Sequence, residues 1–178
     1  MATLFLFLVL TGPAFAEARQ KSAVLAVYIN NSGTTYNDVL DKIVETELQK
    51  RLEGLYIELD GNLYKPQFAK IDVEAASVKQ IIDVVHDSGA DYLVYIELYP
   101  FNKAENYNLI YHRKSMTSNV FLWLIDIKNR QTLYKDHFSL KSKDETDAWL
   151  IGNKSVAKKA LTATMFKVGE IISAKLPI

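Results

Sequence analysis

The amino-acid sequence predicts one α/β domain with the element order β-α-β-α-β-β-β-α, a single mixed sheet with helices packed on it. Two observations lead to this fold class. Short runs of β-branched and apolar residues alternate with stretches in which apolar residues recur at helical spacing, and the last strands are separated only by short turns. Because a helical connection returns the next strand parallel and a tight turn makes an antiparallel pair, both kinds of pairing are expected.

The first strand and the first helix are expected near the start of the domain. Residues 22–29 form an apolar, β-branched run, and the polar residues 30–35 follow as a turn. The next helix is predicted to be capped by Asn37 or Asp38 and to end at Gly54. The acidic residues of this helix are interpreted as its solvated face: Asp38, Asp41, Glu45 and Glu47.

A second strand and a second helix complete the first half. Residues 55–59 are predicted to form the strand. Asp60-Gly61 indicates a tight turn that closes a small hairpin with Leu63-Tyr64. The helix is expected over 74–88, and Gly89 ends it.

The second half is expected to begin with an antiparallel meander. The strongest strand covers 91–101, and its side chains alternate between an apolar face and an aromatic face. The polar stretch 102–114 is interpreted either as a connecting loop or as an extension of a β-hairpin. Strands over 118–127 and 131–140 then pair across a short turn.

The chain is expected to end in a charged loop and a long helix. Residues 141–153 carry the acidic run 144–147, which lacks the spacing and the central glycine of an EF-hand and is interpreted as a loop that caps the helix. The helix is predicted over 154–176. Its inner stripe consists of Ala157, Leu161, Thr164, Val168 and Ile172.

The N-terminal residues have the pattern of a secretory signal peptide. Residues 1–10 are almost wholly apolar, Pro13 interrupts the run, and residues 14–16 offer a small-x-small cleavage site. The run is shorter than the roughly 20 apolar residues that a membrane-spanning helix needs. We therefore expect a signal peptide at 1–18, a single α/β envelope domain at 19–178 and no transmembrane segment after cleavage.

Composition narrows the class of protein. The 21 basic and 21 acidic residues balance, so the basic excess typical of a nucleic-acid binder is absent. The chain has no cysteine, which excludes disulfides and thiolate metal sites. A secreted eukaryotic domain of this size would more often carry disulfides, so a bacterial protein, periplasmic or secreted, is expected.

Three stretches resemble a group of bacterial envelope domains. The first predicted helix ends in Leu48-Gln49-Lys50-Arg51-Leu52, the second leads into Gly89-Ala90-Asp91-Tyr92-Leu93-Val94, and the hairpin carries Leu124-Ile125-Asp126-Ile127. In this order they resemble the TolB amino-terminal domain, the lipoprotein LpoB and the curli-secretion protein CsgG. The resemblance implies an anticodon-binding-domain-like α/β fold. It brings no catalytic residues, because these relatives are binding and assembly modules.

The sequence shows no catalytic, metal or cofactor motif. His86, His112 and His137 lack the paired spacing of a zinc site. The glycines are scattered, so no phosphate-binding loop is predicted. A hydrolase is retained as a third hypothesis, which would require Ser32, His112 or His137 and a carboxylate to converge.

The aromatic residues of the meander give the main candidate for a binding surface. If helices cover the apolar face of strand 91–101, the aromatic residues lie on the opposite face. There they form a partner interface, or they only stabilise a half-exposed sheet. The polar stretch 102–114 is the second candidate. The candidate interface residues are Tyr95, Tyr99, Trp123, Tyr107, Tyr111, His112 and Arg113.

The loop after the first strand is a candidate ligand site, because ligands often bind at the carboxyl ends of parallel strands. Ordinary turn chemistry explains its composition equally well. The residues concerned are Asn30, Asn31, Ser32, Gly33 and Thr34. The leading hypothesis is an exported, non-enzymatic envelope protein that binds another envelope protein or itself. The alternative is a small-ligand or glycan-binding domain that uses the aromatic face and this loop.

Overall fold

A computed structural model describes residues 21–107, 112–146 and 152–177 of the chain. Within these ranges the chain forms a five-stranded sheet with the strand order β2-β1-β3-β4-β5. β1 pairs in parallel with β2 and β3, whereas β3, β4 and β5 are antiparallel neighbours, so the predicted mixed sheet is confirmed. The strands are β1 (Ala23–Asn30), β2 (Ile57–Asp60), β3 (Tyr92–Tyr107), β4 (His112–Asp126) and β5 (Gln131–Thr146).

Four helices pack on the two faces of this sheet. They are α1 (Asn37–Leu52), α2 (Lys65–Phe68), α3 (Val78–Val85) and α4 (Asn153–Lys175), and a 3₁₀ turn at Gly61–Tyr64 precedes α2. α1 and α4 cover one face, while α3 and the chain that leads to it cover the other. No helix of the described part is long and apolar enough to cross a membrane.

The alternation predicted for β3 is confirmed. Val94, Ile96 and Leu98 are fully buried in the core beneath α1 and α4. Tyr95 faces the other core, together with Phe121 of β4, beneath α3. Because a strand directs successive side chains to opposite faces, one sheet supplies both hydrophobic cores.

The stretches that resemble envelope domains hold the ends of the strands in place. The carboxylate of Asp91 accepts a hydrogen bond of 2.8 Å from the backbone N–H of Ala23, which joins the start of β1 to the entry of β3. Gly89 has a φ of +70°, a conformation that glycine adopts without strain, where the chain leaves α3. Asp126 accepts hydrogen bonds of 2.8 Å from the backbone and the side chain of Asn129, which fixes the β4–β5 turn.

The structure corrects two local predictions in the first half. Tyr36 is the N-cap residue of α1, so neither Asn37 nor Asp38 caps the helix. Asn37 Oδ1 instead accepts hydrogen bonds from two hydroxyls of the preceding loop. The hairpin predicted after Asp60 is wrong, because the chain turns into the 3₁₀ segment and α2. Gly61 permits this path, since a Cβ there would lie 1.8 Å from the carbonyl oxygen of Ala26.

Two boundaries also differ from the predicted ones. α3 begins at Val78 rather than near residue 74, because Ser77 and Gln80 form a reciprocal capping box that sets its start. Residues 102–107 and 112–114 belong to long strands, since β3 and β4 stay paired from Asn102 to Tyr107, so the hairpin-extension interpretation is confirmed for them; residues 108–111 lie outside the described part. β5 likewise continues to Thr146. The loop predicted over 141–153, with its acidic run as a helix cap, is therefore wrong for 141–146.

Candidate functional site

Part of the predicted aromatic interface is buried in the hydrophobic core beneath α3. Tyr95 and Trp123 are each only 1% exposed, because α3 and the chain before it cover this face of the sheet. Their polar atoms are satisfied internally: Tyr95 Oη donates to Glu97 Oε2 at 2.7 Å, and Trp123 Nε1 donates to Thr132 Oγ1 at 3.0 Å. Of the two interpretations left open by the sequence, a partner interface or stabilisation of the sheet, the burial of these two residues favours the second.

Tyr99 is half-buried at the rim of the covered face. Its hydroxyl donates to Glu74, whose other carboxylate oxygen lies 3.1 Å from Nε2 of His137. Lys135 Nζ donates to the backbone carbonyl of Glu74 at 2.8 Å. These bonds hold the segment before α3 against β3 and β5, so Tyr99 and His137 act in closing the aromatic face.

The other predicted interface residues belong to the hairpin extension. Tyr107 and His112 are paired positions of β3 and β4, and Arg113 is paired with Asn106. Their side chains and the whole of Tyr111 lie outside the described residues, so their role in an interface stays a prediction.

The polar side chains of the predicted ligand loop are bonded mostly to α1 and β3, and Asn30 Nδ2 donates to Asp41 Oδ1 of α1 at 2.5 Å. Ser32 Oγ donates to Asn37 Oδ1 at 3.1 Å, and Thr34 Oγ1 donates to the same atom at 2.7 Å. The side chain of Asn31 donates to Glu97 Oε1 at 2.6 Å, and Gly33 supplies a φ of +64°. This pattern supports the interpretation of the loop as a structural turn.

The convergence required by the hydrolase hypothesis is not found among the described side chains. Ser32 is 5% exposed and shares its hydroxyl with Thr34 and Asn37. His137 bonds to Glu74 instead. The side chain of His112 lies outside the described residues.

The most distinctive cavity lies between α1, the end of β1 and the 60–69 segment. Two adjoining cavities of about 430 Å³ and about 360 Å³ share three lining residues, and together they run from the β2 edge to Asn30 at the carboxyl end of β1. This is where ligands bind in open α/β sheets. We call this feature the Tyr28 groove; its principal lining residues are Tyr28, Asp41, Glu45, Glu58, Asp60 and Lys65.

Tyr28 is buried between the two cavities of the groove. Its side chain lines both cavities, the residue is 7% exposed, and its hydroxyl lies beside the carboxylate of Asp41 without a hydrogen bond of ordinary geometry to the described residues. Burial, and after it the charge of Asp41 and hydrogen bonding to the same carboxylate, raise the pKa of Tyr28 far above its usual value. The hydroxyl is therefore neutral at physiological pH.

The charge of the groove is strongly acidic. Five carboxylates line it against a single cation, Lys65, whose Nζ lies 5.9 Å from the centre of the Tyr28 ring. Partial burial, and after it the neighbouring charge of Glu53, raise the pKa of Glu58. No three histidines or carboxylates of the described part are grouped so as to hold a metal ion.

The groove is not predicted from the sequence, because its acidic residues on α1 have the pattern of a solvated helix face. Asp41 and Glu45 are four residues apart and so lie on one face of α1, which the structure places beside Tyr28. Two signals pointed there: this spacing, and the polar residues Asn30 and Asp60 at the carboxyl ends of two parallel strands.

Comparison with known proteins gives the fold. No family model matches the chain, and no curated protein matches its sequence. The hypothetical protein CT253 from Chlamydia trachomatis is 10% identical with a TM-score of 0.52, and the match covers 87% of this chain and 99% of that one. At such identity the likeness shows the fold alone.

Two further structures have lower TM-scores. The lipoprotein GNA1162 from Neisseria meningitidis is 14% identical, with a TM-score of 0.47 over 84% of this chain and 99% of that one. TolB from Acinetobacter baumannii is 18% identical, with a TM-score of 0.45 over 86% of this chain and 27% of that one. TolB is one of the relatives that the sequence motifs indicated, so a member of the group named from the sequence occurs among the similar structures.

Proposed function

We propose that this chain is an exported, non-enzymatic domain of the bacterial cell envelope that binds another protein through the edge of β2. The signal-peptide pattern of residues 1–18 supports export, and the absence of cysteine fits a bacterial protein better than a secreted eukaryotic one. The described residues support binding better than catalysis, because Ser32 and His137 direct their hydrogen bonds to different partners.

The observation that carries the proposal is the apolar exposure around β2. No described strand pairs with the outer edge of β2, so its backbone groups on that side are available to another chain. Four large apolar side chains of the described part are well exposed, and three of them lie in or beside β2: Leu55 at 45%, Ile57 at 49% and Leu63 at 70%. An extended segment that pairs with β2 would cover both the backbone and these side chains.

The opposite edge of the sheet is less suited to such pairing. Exposed Lys135, Asp136 and His137 follow one another along β5. Charged side chains on an edge strand oppose the addition of a further strand. β2 also carries exposed Glu58 and Asp60, but the exposed apolar side chains in and beside it have no counterpart among the described residues of β5, which makes the β2 edge the better docking surface.

Site-specific photocrosslinking in the bacterium of origin tests this proposal. A photoreactive amino acid at Leu63 should give a discrete crosslinked band, and the same substitution at Lys79, which is 79% exposed on α3, should give none. The band should disappear when Glu58→Pro blocks the β2 backbone, provided that the variant is still folded.

Three results would contradict the proposal. The first is no band from positions 55, 57 and 63, and the second is equal bands from these positions and from Lys79. The third is a crosslinked product at twice the mass of the exported chain, since this would make the partner a second copy.

A further inference from the structure

We propose that the segment recognised at the edge of β2 is an extended chain in which basic and apolar residues alternate. Its basic side chains lie beside Glu58 and Asp60 on the α1 face of the sheet, and its apolar side chains lie beside Ile57 on the opposite face. The inference rests on the proposed function, because it names the chemistry of the partner segment that pairs with β2.

The open backbone groups of β2 belong to a residue that carries a carboxylate. Ile57 donates its backbone N–H to the carbonyl oxygen of Ser22 at 2.9 Å, so the backbone groups of Ile57 face β1. Along a strand, the N–H and C=O groups of successive residues point to opposite sides. The backbone N–H and C=O of Glu58 therefore point away from β1, and a strand that pairs with β2 hydrogen-bonds to Glu58.

The two faces of β2 differ in chemistry. Val24, which is paired with Glu58, lies in the core beneath α1 and α4, so Glu58 and Asp60 are on the α1 face of the sheet. Leu59 packs against the core beneath α3, and Ile57 lies on that same face with 49% of its surface exposed. A strand added to β2 extends both faces, so its successive side chains meet carboxylates and apolar surface in turn.

The carboxylates of the α1 face select the charge of the added strand. Glu53, Glu58 and Asp60 are exposed, line one cavity and form no ion pair with a described lysine, arginine or histidine. Lys65 lines the same cavity, but its Nζ lies over the ring of Tyr28. Since opposite charges on neighbouring strands stabilise a sheet and like charges destabilise it, a strand with lysine or arginine on this face is favoured over an acidic one.

The test is a calorimetric titration of the exported protein with an end-blocked hexapeptide of three lysine–isoleucine repeats. We expect saturable binding that weakens as salt is added. A hexapeptide of three glutamate–isoleucine repeats should not bind, because its charges repel those of β2. A hexapeptide with three lysines followed by three isoleucines should not bind either, because it cannot direct its charges to one face and its apolar side chains to the other.

Three variants test the two faces. Glu58→Lys should weaken binding of the lysine–isoleucine peptide about tenfold, because it replaces attraction by repulsion. The matched control is Glu170→Lys, which makes the same change of charge at an exposed position of α4 and should leave binding unchanged. Ile57→Ser removes apolar surface from the other face without changing the charge and should also weaken binding, so the test remains decisive if Glu58→Lys does not fold.

Peptides with methylated backbone nitrogens test the strand pairing itself. The lysine N–H groups of a bound strand point to one side and the isoleucine N–H groups to the other, so only one of the two sets faces β2. Methylation of one set should abolish binding, and methylation of the other should leave it largely unchanged. Equal effects of the two methylated peptides would show that the peptide does not pair as a strand, and would overturn the proposal.

The remaining outcomes separate this inference from the proposed function. The inference is overturned if the lysine–isoleucine peptide does not bind saturably, if the glutamate–isoleucine peptide binds equally well, or if Glu58→Lys and Glu170→Lys bind the peptide equally. A crosslink at Leu63 without binding of the peptide would mean that β2 docks a protein of other chemistry, so the inference fails and the proposed function stands. Binding of the peptide without any crosslink in the cell would have the reverse meaning.

Discussion

Two tyrosines on neighbouring strands show how differently the two faces of the sheet are completed. Tyr95 of β3 and Tyr28 of β1 are 1% and 7% exposed and point to opposite faces. The hydroxyl of Tyr95 donates to Glu97 at 2.7 Å, whereas the hydroxyl of Tyr28 lies beside the carboxylate of Asp41 without a hydrogen bond of ordinary geometry. The aromatic face is thus closed with a well-formed internal hydrogen bond, and the corresponding bond on the other face is poorly formed. A buried aromatic residue therefore does not by itself indicate a binding site.

The largest expected effect concerns Trp123, which the comparison assigns to the closed face. Trp123→Ala removes a fully buried ring and should lower the free energy of unfolding by about 3 to 5 kcal/mol, as measured by urea denaturation. The matched control is Leu63→Ala, at a position 70% exposed, which should change stability by less than about 0.5 kcal/mol. Similar small losses for both variants would mean that the aromatic face is open.

The next effect concerns the hydrogen bond that Tyr95 makes. Tyr95→Phe keeps the ring but removes the donor to Glu97, so we expect a loss of about 1 to 2 kcal/mol in the free energy of unfolding. Glu97 also accepts a hydrogen bond from Asn31 of the β1–α1 loop, and Asn31→Ala in the Tyr95→Phe background should show non-additive losses. Strictly additive losses in this double-mutant cycle would show that the two bonds are independent.

A smaller effect tests the charge of the Tyr28 groove. The folded state raises the pKa of Glu58 through burial and Glu53, so the native protein holds this proton more tightly than the unfolded chain. The stability that Glu58 contributes therefore falls as pH rises through its folded pKa. Glu58→Gln removes this cost and should stabilise the protein at pH 7, by less than about 0.5 kcal/mol because the residue is exposed.

The pH dependence provides the check on this effect. The advantage of Glu58→Gln should vanish below about pH 4, where the glutamate is protonated in the unfolded chain as well. A destabilised Glu58→Gln variant at pH 7 would show that the carboxylate is favourably paired.

The alternation along β3 was predictable, but the chain that covers it was not. The alternation of side chains along a strand predicts on which face of the sheet Tyr95 lies, but it does not predict which segment packs on that face. The sequence predicts a small hairpin up to Tyr64 and a helix from residue 74, with no element between them, whereas the structure uses Phe68 and Val73 to close the aromatic core.

The same reasoning applies to the ends of the strands and to the groove. The apolar run stops at Phe101, yet β3 continues through polar residues because β4 pairs with it as far as Tyr107. Asp41 and Glu45 look like ordinary solvated positions in sequence, and only the tertiary path of the 60–69 segment places them beside Tyr28. Pairing partners and covering segments are tertiary properties that local patterns do not contain.

The most direct test of the account compares the unfolding free energies of Tyr28→Phe and Tyr95→Phe in the absence of ligand. The two variants remove the same atom from two buried tyrosines, so the difference between them isolates the hydrogen bond. We predict that Tyr95→Phe loses about 1 to 2 kcal/mol and that Tyr28→Phe is within about 0.5 kcal/mol of the unmodified protein or more stable. Equal losses for the two variants would contradict the account, because the hydroxyl of Tyr28 would then be as well hydrogen-bonded as that of Tyr95.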